Sequence, residues 1–420
     1  MQDLNPKLQK LVPALLDWFA QNARDLPWRH TRDPYAIWVS EIMLQQTQVK
    51  TVIPYWNHWM RELPTIEAVA NASPGKIHKL WEGLGYYTRV RNLQKAARQI
   101  MEKHPVKSKP RRRRGNESQI KQKPKTPHVV SYKFPDNFDD VLALPGIGRY
   151  TAGAICSIAF NQPTPILDGN VIRVLTRVFG IAKNPHEKKT NVQLWQLAEE
   201  LVVQVSRFTH HVSRSNSRTR TKAEDDSACS HLNQSLMELG ALVCTPRQPQ
   251  CPVCPVKKLC VAFREDRVGE LPNLGKREAA TARHFVAFVV ERNGRFLVRQ
   301  RPGGIVNAHL WEFPNTESCN AKPDAKEIYK SIFEIEPPEV QPLCTIKHSI
   351  TRYRITLEAF CVHLGRASSA SPYLKGAKSG TRRSRPSQIS GVWLMPIQLR
   401  KLAFTAAHRR ILRHLQTPAQ

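Results

Sequence analysis

Four of the nine cysteines lie close together in the pattern C-x6-C-x2-C-x5-C, at Cys244, Cys251, Cys254 and Cys260. This spacing allows one short loop to surround a single metal centre, and sites with four cysteine ligands bind either zinc or an iron–sulfur cluster. Zinc sites usually contain two C-x2-C pairs, whereas this segment has one, so the pattern favours a [4Fe–4S] cluster. Because cysteine fills every ligand position, none stays open for catalysis, and the expected role is structural.

A glycine-rich turn between two helical segments could bind a phosphate group. Residues 144–151 read LPGIGRYT, in which Gly146 and Gly148 let the backbone turn tightly and approach a ligand closely. The helix that begins near Arg149 presents free backbone N–H groups and the positive end of its dipole. The segment therefore predicts a helix-hairpin-helix contact with DNA phosphate. Glycine-rich turns also serve simply to pack two helices, so the motif alone leaves both interpretations open.

Helical periodicity over residues 1–265 predicts the all-α region that must position these two features. Apolar residues recur at helical spacing in several segments, among them Ile37–Gln45, Val141–Leu144, Ala152–Phe160 and Val171–Phe179. The stretch Lys7–Phe19 has the pattern of an amphipathic helix rather than of a signal peptide. We therefore expect a reducing intracellular setting, cytoplasmic and associated with the nucleoid, where disulfides are disfavoured.

The pattern changes near residue 283, after a linker at 266–282. HFVAFVV and RFLVRQR surround Asn293-Gly294, which predicts two strands joined by a tight turn. Further strands are expected in 351–364 and 392–396, followed by a closing helix at Ala406–Leu415. Residues 283–420 thus form a smaller α+β domain, and the chain is multidomain.

The charge of the chain points to a polyanionic partner. The formal net charge is +30 over 420 residues, which favours nucleic acid first and an anionic membrane surface second. Long apolar runs are missing, so no membrane span is predicted. Three segments poor in apolar periodicity contribute +16 of this charge and are interpreted as basic insertions, at 106–130, 206–227 and 366–388. The remaining +14 belongs to the folded parts.

Several motifs in chain order resemble those of known DNA glycosylases. The hairpin, the stretch ILDGNV at 166–171 and the cysteine spacing resemble the endonuclease III superfamily. LPWR at 26–29, SEIMLQQTQV at 40–49 and GLGYY at 83–87 narrow the resemblance to the MutY family of adenine glycosylases. The resemblance implies an all-α helix-hairpin-helix domain with a [4Fe–4S] loop, followed by a Nudix-like domain that recognises the lesion.

The resemblance also implies that Glu41 and Asp168 break the glycosidic bond of an adenine flipped out of the duplex. Adenine leaves readily only when a ring nitrogen is protonated, which requires a carboxyl with a raised pKa, and Ile37 and Trp38 could provide an apolar wall beside Glu41. A second, ionised carboxylate would stabilise the sugar cation or attack it, as in glycoside hydrolysis. Asp168 fits that role, with Asn170 and Tyr150 as polar neighbours.

Each of these residues also has an ordinary interpretation. A glutamate within a helix usually faces solvent, Asp168 could simply cap the next helix, and Tyr150 could be a packing residue. Tyr150 further distinguishes the subfamilies, because bifunctional relatives carry at this position a lysine that forms a Schiff base and cuts the strand. With tyrosine here, we expect base removal without efficient strand cleavage.

The resemblance assigns further contacts. Around the extruded adenine it places Arg24, Trp28, Arg29 and Gln234; at the wedge and facing the lesion it places Gln46, Thr47, Leu84 and Tyr86. An aromatic side chain suits insertion where a base has been displaced. For Trp28, core packing is an equally good interpretation.

The second domain departs from its relatives in two places. Nudix hydrolases hold magnesium with a glutamate-rich R-E-x-x-E-E helix, and residues 325–330 read AKEIYK, so no nucleotide hydrolysis is expected. Family members read the lesion with a Phe-Ser-His loop, whereas this chain has Ile350-Thr351-Arg352. Thr351 keeps a hydroxyl for the lesion contact, and Arg352 is hypothesised to exchange base discrimination for phosphate affinity.

The sequence thus predicts an adenine DNA glycosylase of base excision repair that acts as a monomer on double-stranded DNA with A:8-oxoguanine or A:G mispairs. The alternatives are a glycosylase with another opposite-base preference and a non-catalytic iron–sulfur protein that binds DNA. Binding alone would need neither carboxylate, nor Tyr150 and Asn170 beside them.

Overall fold

The computed structural model describes residues 4–103, 105–106, 131–214, 227–275, 279–320, 324–350, 352–365 and 391–415. The chain forms two compact units, one of Met1–Ala72 with Arg89–Lys276 and one of Ser73–Thr88 with Arg277–Gln420. In the described part of the chain, no helix is both long enough and apolar enough to cross a bilayer.

The first unit is built from helices. They are α1 (Leu4–Asn22), α2 (Pro34–Leu44), α3 (Val49–Glu62), α4 (Ile66–Asn71), α6 (Thr88–Lys103), α7 (Phe138–Leu142), α8 (Arg149–Phe160), α9 (Gly169–Phe179), α10 (Lys188–Arg214), α11 (Ala228–Leu242) and α12 (Val261–Arg264), while α5 (Pro74–Leu80) belongs to the second unit. Short 3₁₀ turns occur at Pro27–Arg29, Cys251–Val253 and Lys257–Leu259.

Local sequence explains where the site helices begin. Asp33 caps α2 by accepting from the backbone N–H of Tyr35, and Pro34 fills the first helical position, where no N–H is needed. Asp168 caps α9 in the same way, through Val171. These caps fix where the two helices begin. Helix α2 carries Glu41, and Asp168 is itself the cap of α9.

The core of the helical unit is formed by α1, α9, α10 and α11. Leu15, Leu175, Leu201 and Leu239 are fully buried within it. Burying such side chains contributes about 2 kcal/mol each. This core holds the N-terminal end of α9, where Asp168 lies, against α11.

A short antiparallel pair, β1 (Pro105–Val106) and β2 (Ser131–Tyr132), brings together the two ends of the first basic insertion. Residues 107–130 of that insertion lie outside the described residues, as does all of the third insertion. In the second insertion the backbone of α10 continues to Arg214, so its first nine residues are helical, and residues 215–226 lie outside the described residues.

The second unit contains a mixed sheet with the order β5-β4-β3-β8-β7. Its strands are β3 (Thr281–Arg292), β4 (Arg295–Gln300), β5 (Trp311–Glu312), β6 (Asn315–Ser318), β7 (Gln341–Ile350), β8 (Tyr353–His363) and β9 (Val392–Leu394). The central strands β3 and β8 run parallel, with Phe285 opposite Leu357. Asn293 and Gly294 both adopt left-handed conformations between β3 and β4, as the predicted two-residue hairpin turn requires.

Alternate residues of β3 fill the two faces of the sheet. Ala287 and Val289 pack with the closing helix α15 (Ala406–His414), whereas Val286 and Phe288 pack with α13 (Ala325–Phe333). The small helix α14 (Pro396–Leu399) completes the first face. The predicted α+β domain is confirmed.

The structure divides the chain differently from the predicted domain limits. Leu271 packs with the helical unit, where its carbonyl accepts from Arg177 Nε at 2.8 Å, and β3 already begins at Thr281. The predicted linker at 266–282 is therefore longer than the connection that the structure shows. Ser73–Thr88 belongs to the second unit although it lies within the helical region of the sequence.

Candidate active site

A cavity of about 580 Å³ lies in the helical unit. Most of the residues that the sequence assigned to catalysis and base binding line it: Arg24, Trp28, Arg29, Glu41, Gln46, Thr47, Tyr150, Asp168, Asn170 and Gln234. Leu26, Ile37, Leu44, Ile158 and Leu167 add apolar walls. Polar groups gathered in a partly apolar cavity are the usual composition of a binding site for a small planar group.

Glu41 lies in the C-terminal turn of helix α2 and is buried, with 5% of its surface exposed. Its Oε2 accepts a hydrogen bond of 3.0 Å from the Tyr150 hydroxyl. Burial raises the pKa of Glu41 to about 7, and the charge of Asp168 acts in the same direction, while Tyr150 and Arg29 oppose the rise. The solvent-facing interpretation of this glutamate is therefore wrong, and its carboxyl can hold a proton near neutral pH.

Asp168 has the capping role that local sequence suggests and also lines the cavity. Its Oδ1 accepts from the Val171 backbone N–H at 2.8 Å, and its Oδ2 accepts from Asn170 Nδ2 at 3.0 Å. Burial raises the pKa of Asp168, whereas these hydrogen bonds and the charge of Arg173 lower it. Burial has the larger effect, so the pKa of Asp168 lies above its ordinary value although two donors and a nearby cation oppose the rise.

Tyr150 connects the hairpin helix to the carboxyl of Glu41. It lies in the first turn of α8, and burial raises the pKa of its hydroxyl well above the ordinary value, so the group stays a donor. The same hydroxyl lies 3.3 Å from Met237 Sδ. The position occupied by lysine in bifunctional relatives thus holds a neutral group in contact with Glu41.

A buried glutamate that sequence reasoning missed organises the cationic side of the cavity. Glu238 accepts from Arg24 Nε at 2.8 Å and from Arg29 Nη2 at 3.0 Å. Burial opposes its ionisation, but the hydrogen bonds from both arginines outweigh this and lower the pKa of Glu238 to about 2. Its distance of four residues from Gln234, on the same face of α11, was the available signal.

Gln234 and Trp28 occupy positions consistent with either base binding or support. Gln234 Oε1 accepts from Arg29 Nε at 3.0 Å, and its Nε2 donates to Ser230 Oγ at 3.0 Å. Trp28 is 7% exposed and packs edge-on against Trp56 at 6.1 Å. Trp28 is thus packed in the core and also forms part of the cavity wall.

The predicted phosphate hairpin forms a tight turn before α8. Gly146 has φ +79°, and a Cβ added there would lie 2.6 Å from Asn92 Cβ, so no larger residue fits. Gly148 and Arg149 are exposed at the start of α8, whereas Thr151 and Ala152 in the same turn are buried, and the first backbone N–H groups of a helix have no partner within it. The guanidinium of Arg149 stacks on the Trp195 ring, 4.0 Å from its centre. The turn therefore both packs closely and presents a helix N-terminus.

The four clustered cysteines line one small cavity together with Val174 and Arg177. Arg177 Nη1 donates to Cys244 Sγ at 3.3 Å. In the described part of the chain, no group of three or more His, Cys, Asp or Glu side chains is arranged to hold a metal ion. The structure thus brings the four predicted cysteine ligands to one cavity. A metal centre bound by them remains a proposal.

The remaining predicted contacts lie elsewhere. Leu84 is buried, and Tyr86 is 45% exposed with φ +47°; both are in the Ser73–Thr88 segment of the second unit and neither lines the cavity. Thr351 lies outside the described residues. Its neighbour Arg352 is exposed, and its Nη2 donates to the Tyr353 hydroxyl at 3.3 Å.

Two family models match the chain. Residues 39–200 match the HhH-GPD superfamily of base excision DNA repair proteins, and residues 285–414 match the NUDIX domain. The adenine DNA glycosylase of Rattus norvegicus is 32% identical over 95% of this chain and 76% of its own length. That of Homo sapiens is 30% identical over 96% of this chain and 73% of its own length.

A solved thermostable thymine-DNA glycosylase matches 62% of this chain and 98% of its own, with 26% identity and a TM-score of 0.46. The predicted helix-hairpin-helix domain and Nudix-like domain are confirmed by the family models, and the enzymatic interpretation is confirmed by the relatives. The chain belongs to the adenine DNA glycosylase family and is a base excision repair enzyme.

Proposed function

We propose that this glycosylase hydrolyses the bond between adenine and its sugar where adenine is mispaired with 8-oxoguanine or guanine, using Glu41 as the general acid. The single observation that supports this proposal most is the buried Glu41 carboxyl, whose pKa of about 7 keeps it protonated near neutral pH. A general acid is most effective when its pKa lies near the working pH.

In the proposed reaction, Glu41 donates its proton to a ring nitrogen of the flipped adenine. The C1′–N9 bond then breaks, its electron pair goes to the protonated base, and the sugar acquires cationic character. Tyr150 holds the Glu41 carboxyl in place through its 3.0 Å hydrogen bond. Positioning of this kind accounts for a major part of the rate acceleration, because the reacting groups are already held in the geometry that the reaction requires.

Asp168 is proposed to stabilise the sugar cation while water adds at C1′ and transfers a proton to the Glu41 carboxylate, which restores the acid for the next turnover. Its two hydrogen bonds, from Val171 N–H and Asn170 Nδ2, fix the carboxylate and favour its ionised form. Because Tyr150 supplies no amine for a Schiff base, the reaction is proposed to end at the abasic site.

The cationic side of the cavity is proposed to hold the base. Arg29 is oriented by Glu238 and Gln234, so its guanidinium is fixed before the substrate arrives. A preorganised group loses little entropy on binding and therefore contributes more to recognition.

We further propose that Cys244, Cys251, Cys254 and Cys260 hold a [4Fe–4S] cluster. The fit rests on four thiols that line one cavity, where the Arg177 guanidinium donates to Cys244 Sγ at 3.3 Å. Such a group, when bound, would tie the loop between α11 and α12 together and would supply no chemistry to the hydrolysis.

The proposed substrate is double-stranded DNA, bound by a monomer inside the cell. The net charge of +30 and the exposed residues Gly148 and Arg149 at the start of α8 support contact with the phosphate backbone. In the loop expected to read the opposite base, Ile350 and Arg352 replace the expected Phe and His.

The deciding experiment is single-turnover release of adenine from duplexes with A opposite 8-oxoguanine, G, C or T. Release should be fastest opposite 8-oxoguanine and G, and Glu41→Gln should release none. Equal rates opposite all four bases would refute lesion sensing. Strand scission by the parent protein without added alkali would refute the monofunctional reaction, and a purified protein without iron–sulfur absorption would refute the cluster.

A further inference from the structure

Backbone carbonyls at the C-terminal end of helix α2 accept hydrogen bonds from one cation, the guanidinium of Arg89. Helix α2 ends at Leu44, three residues after Glu41, and Arg89 Nη1 lies 2.8 Å from Ile42 O, 3.1 Å from Met43 O and 2.6 Å from Gln45 O. The last four carbonyls of a helix have no partner within it, and a positive charge there is favoured by the helix dipole. Arg89 therefore closes the end of the helix that carries Glu41.

The backbone immediately after this helix reverses sharply at the edge of the cavity. Gln46 has φ +55°, a left-handed conformation that residues other than glycine rarely adopt, and the Thr47 N–H donates to Leu44 O at 3.2 Å. The side chains of Gln45, Gln46 and Thr47 all line the cavity. Such a turn persists only when its surroundings hold it.

The turn is held from two sides. Gln45 Nε2 donates to Thr151 Oγ1 of the hairpin helix at 3.4 Å, which is a long contact, whereas the bonds from Arg89 are shorter and charged. Helix α6, which carries Arg89, also packs on the hairpin one turn later, where Asn92 faces Gly146. Helix α6 thus links the phosphate hairpin to the turn that borders the cavity.

We infer that Arg89 is a positioning residue for adenine excision. Its guanidinium holds the turn Gln45–Thr47 and the end of α2, so that Glu41 and the cavity wall keep their reacting geometry. Arg89 itself is not among the residues that line the cavity, so it acts through this turn. The inference uses the excision activity of the family and goes beyond the roles proposed above for Glu41, Asp168 and Tyr150.

Three variants test the inference. Arg89→Met keeps the apolar stem and removes the donors, Arg89→Lys keeps a charge with three donors, and Arg98→Met is the matched control. Arg98 lies on the same helix and donates to a backbone carbonyl as well, Ala70 O at 2.9 Å, but Ala70 does not line the cavity, whereas Gln45 does. Single-turnover rates are measured with enzyme in excess on duplexes with A opposite 8-oxoguanine and opposite G.

Arg89→Met should lower the rate about 100-fold, as expected for a displacement of about 1 Å at reacting groups. Arg89→Lys should recover most of that loss, and Arg98→Met should stay within about threefold of the parent. Equal losses in Arg89→Met and Arg98→Met, in proportion to their losses of thermal stability, would overturn the inference. A parent protein inactive on both duplexes would instead refute the proposed mispairs.

Hydrogen exchange gives a second readout that needs no substrate. The backbone amides of residues 45–48 should exchange at least about tenfold faster in Arg89→Met than in the parent. Their exchange rates in Arg98→Met should equal those of the parent. If Arg89→Met does not fold, the same comparison is made with Arg89→Lys, where a smaller increase at the same amides is expected. No local increase in either variant would overturn the positioning role.

Discussion

Replacing Glu41 with glutamine should stabilise the folded protein while it removes the general acid. The carboxyl is buried and its pKa lies at about 7, against 4.5 for an unperturbed glutamate. The parent protein must therefore either keep a proton or bury a charge at this site when the pH rises. Glutamine has nearly the same shape, keeps an acceptor for the Tyr150 hydroxyl and never ionises.

The size and the pH range of this gain follow from the two pKa values. Because the folded-state pKa is the higher one, the favourable contribution of Glu41 is complete below about pH 4.5 and is lost as the pH rises to about 7. The values differ by about 2.5, which corresponds to about 3 kcal/mol at 1.36 kcal/mol for each pKa unit. The variant should thus match the parent at low pH and exceed it by about 3 kcal/mol above neutrality.

The measurement is urea unfolding at about pH 4.5 and about pH 8.5, followed by far-ultraviolet circular dichroism, with Glu200→Gln as the control. Glu200 is an exposed carboxyl on helix α10, and its replacement should change the unfolding free energy little at either pH. A Glu41→Gln variant that is no more stable than the parent at the higher pH would refute the buried, protonated carboxyl. An equal gain at both pH values would point to packing instead.

Three other results are expected. Tyr150→Phe removes a hydrogen bond that lowers the pKa of Glu41, so the pH at which the single-turnover rate falls should move upward, and an unmoved midpoint would contradict the contact. Asp168→Asn keeps a good helix-capping residue, so thermal unfolding should stay near that of the parent while adenine release slows at least about 100-fold; parallel losses would mean that Asp168 only caps. Glu238→Gln leaves two arginines beside a neutral group and should cost about 3 kcal/mol in urea at neutral pH, a difference that disappears as the pH falls towards 2; an unchanged midpoint would exclude a buried ion pair.

Local sequence determined the elements that carry the site. The order Asp168-Gly169-Asn170, followed by apolar residues at helical spacing, predicted a capped helix, and α9 begins at Gly169 with that cap. Asn293-Gly294 predicted the hairpin between β3 and β4 for the same reason, since both turn residues must adopt positive φ. Capping and turn preferences act between neighbours in the chain, so they can be read without knowledge of the fold.

The spacing of the cysteines likewise determined that one loop would gather them. Cys244 and Cys260 are only sixteen residues apart, so one short loop can bring the four thiols together, and they do line a common cavity. The limits of the two units were less predictable. Ser73–Thr88 belongs to the second unit although it lies in sequence between helices of the first unit.

Only the tertiary structure decided what the carboxylates can do. Glu41 meets Tyr150 from 109 residues away, and Arg24 meets Glu238 from 214 residues away. The pKa of a carboxyl depends on burial and on charges within a few ångströms. In the same cavity, the pKa of Glu41 is therefore raised to about 7 and that of Glu238 is lowered to about 2. Helical spacing placed each glutamate on a helix, but the packing of distant helices decided which one keeps its proton.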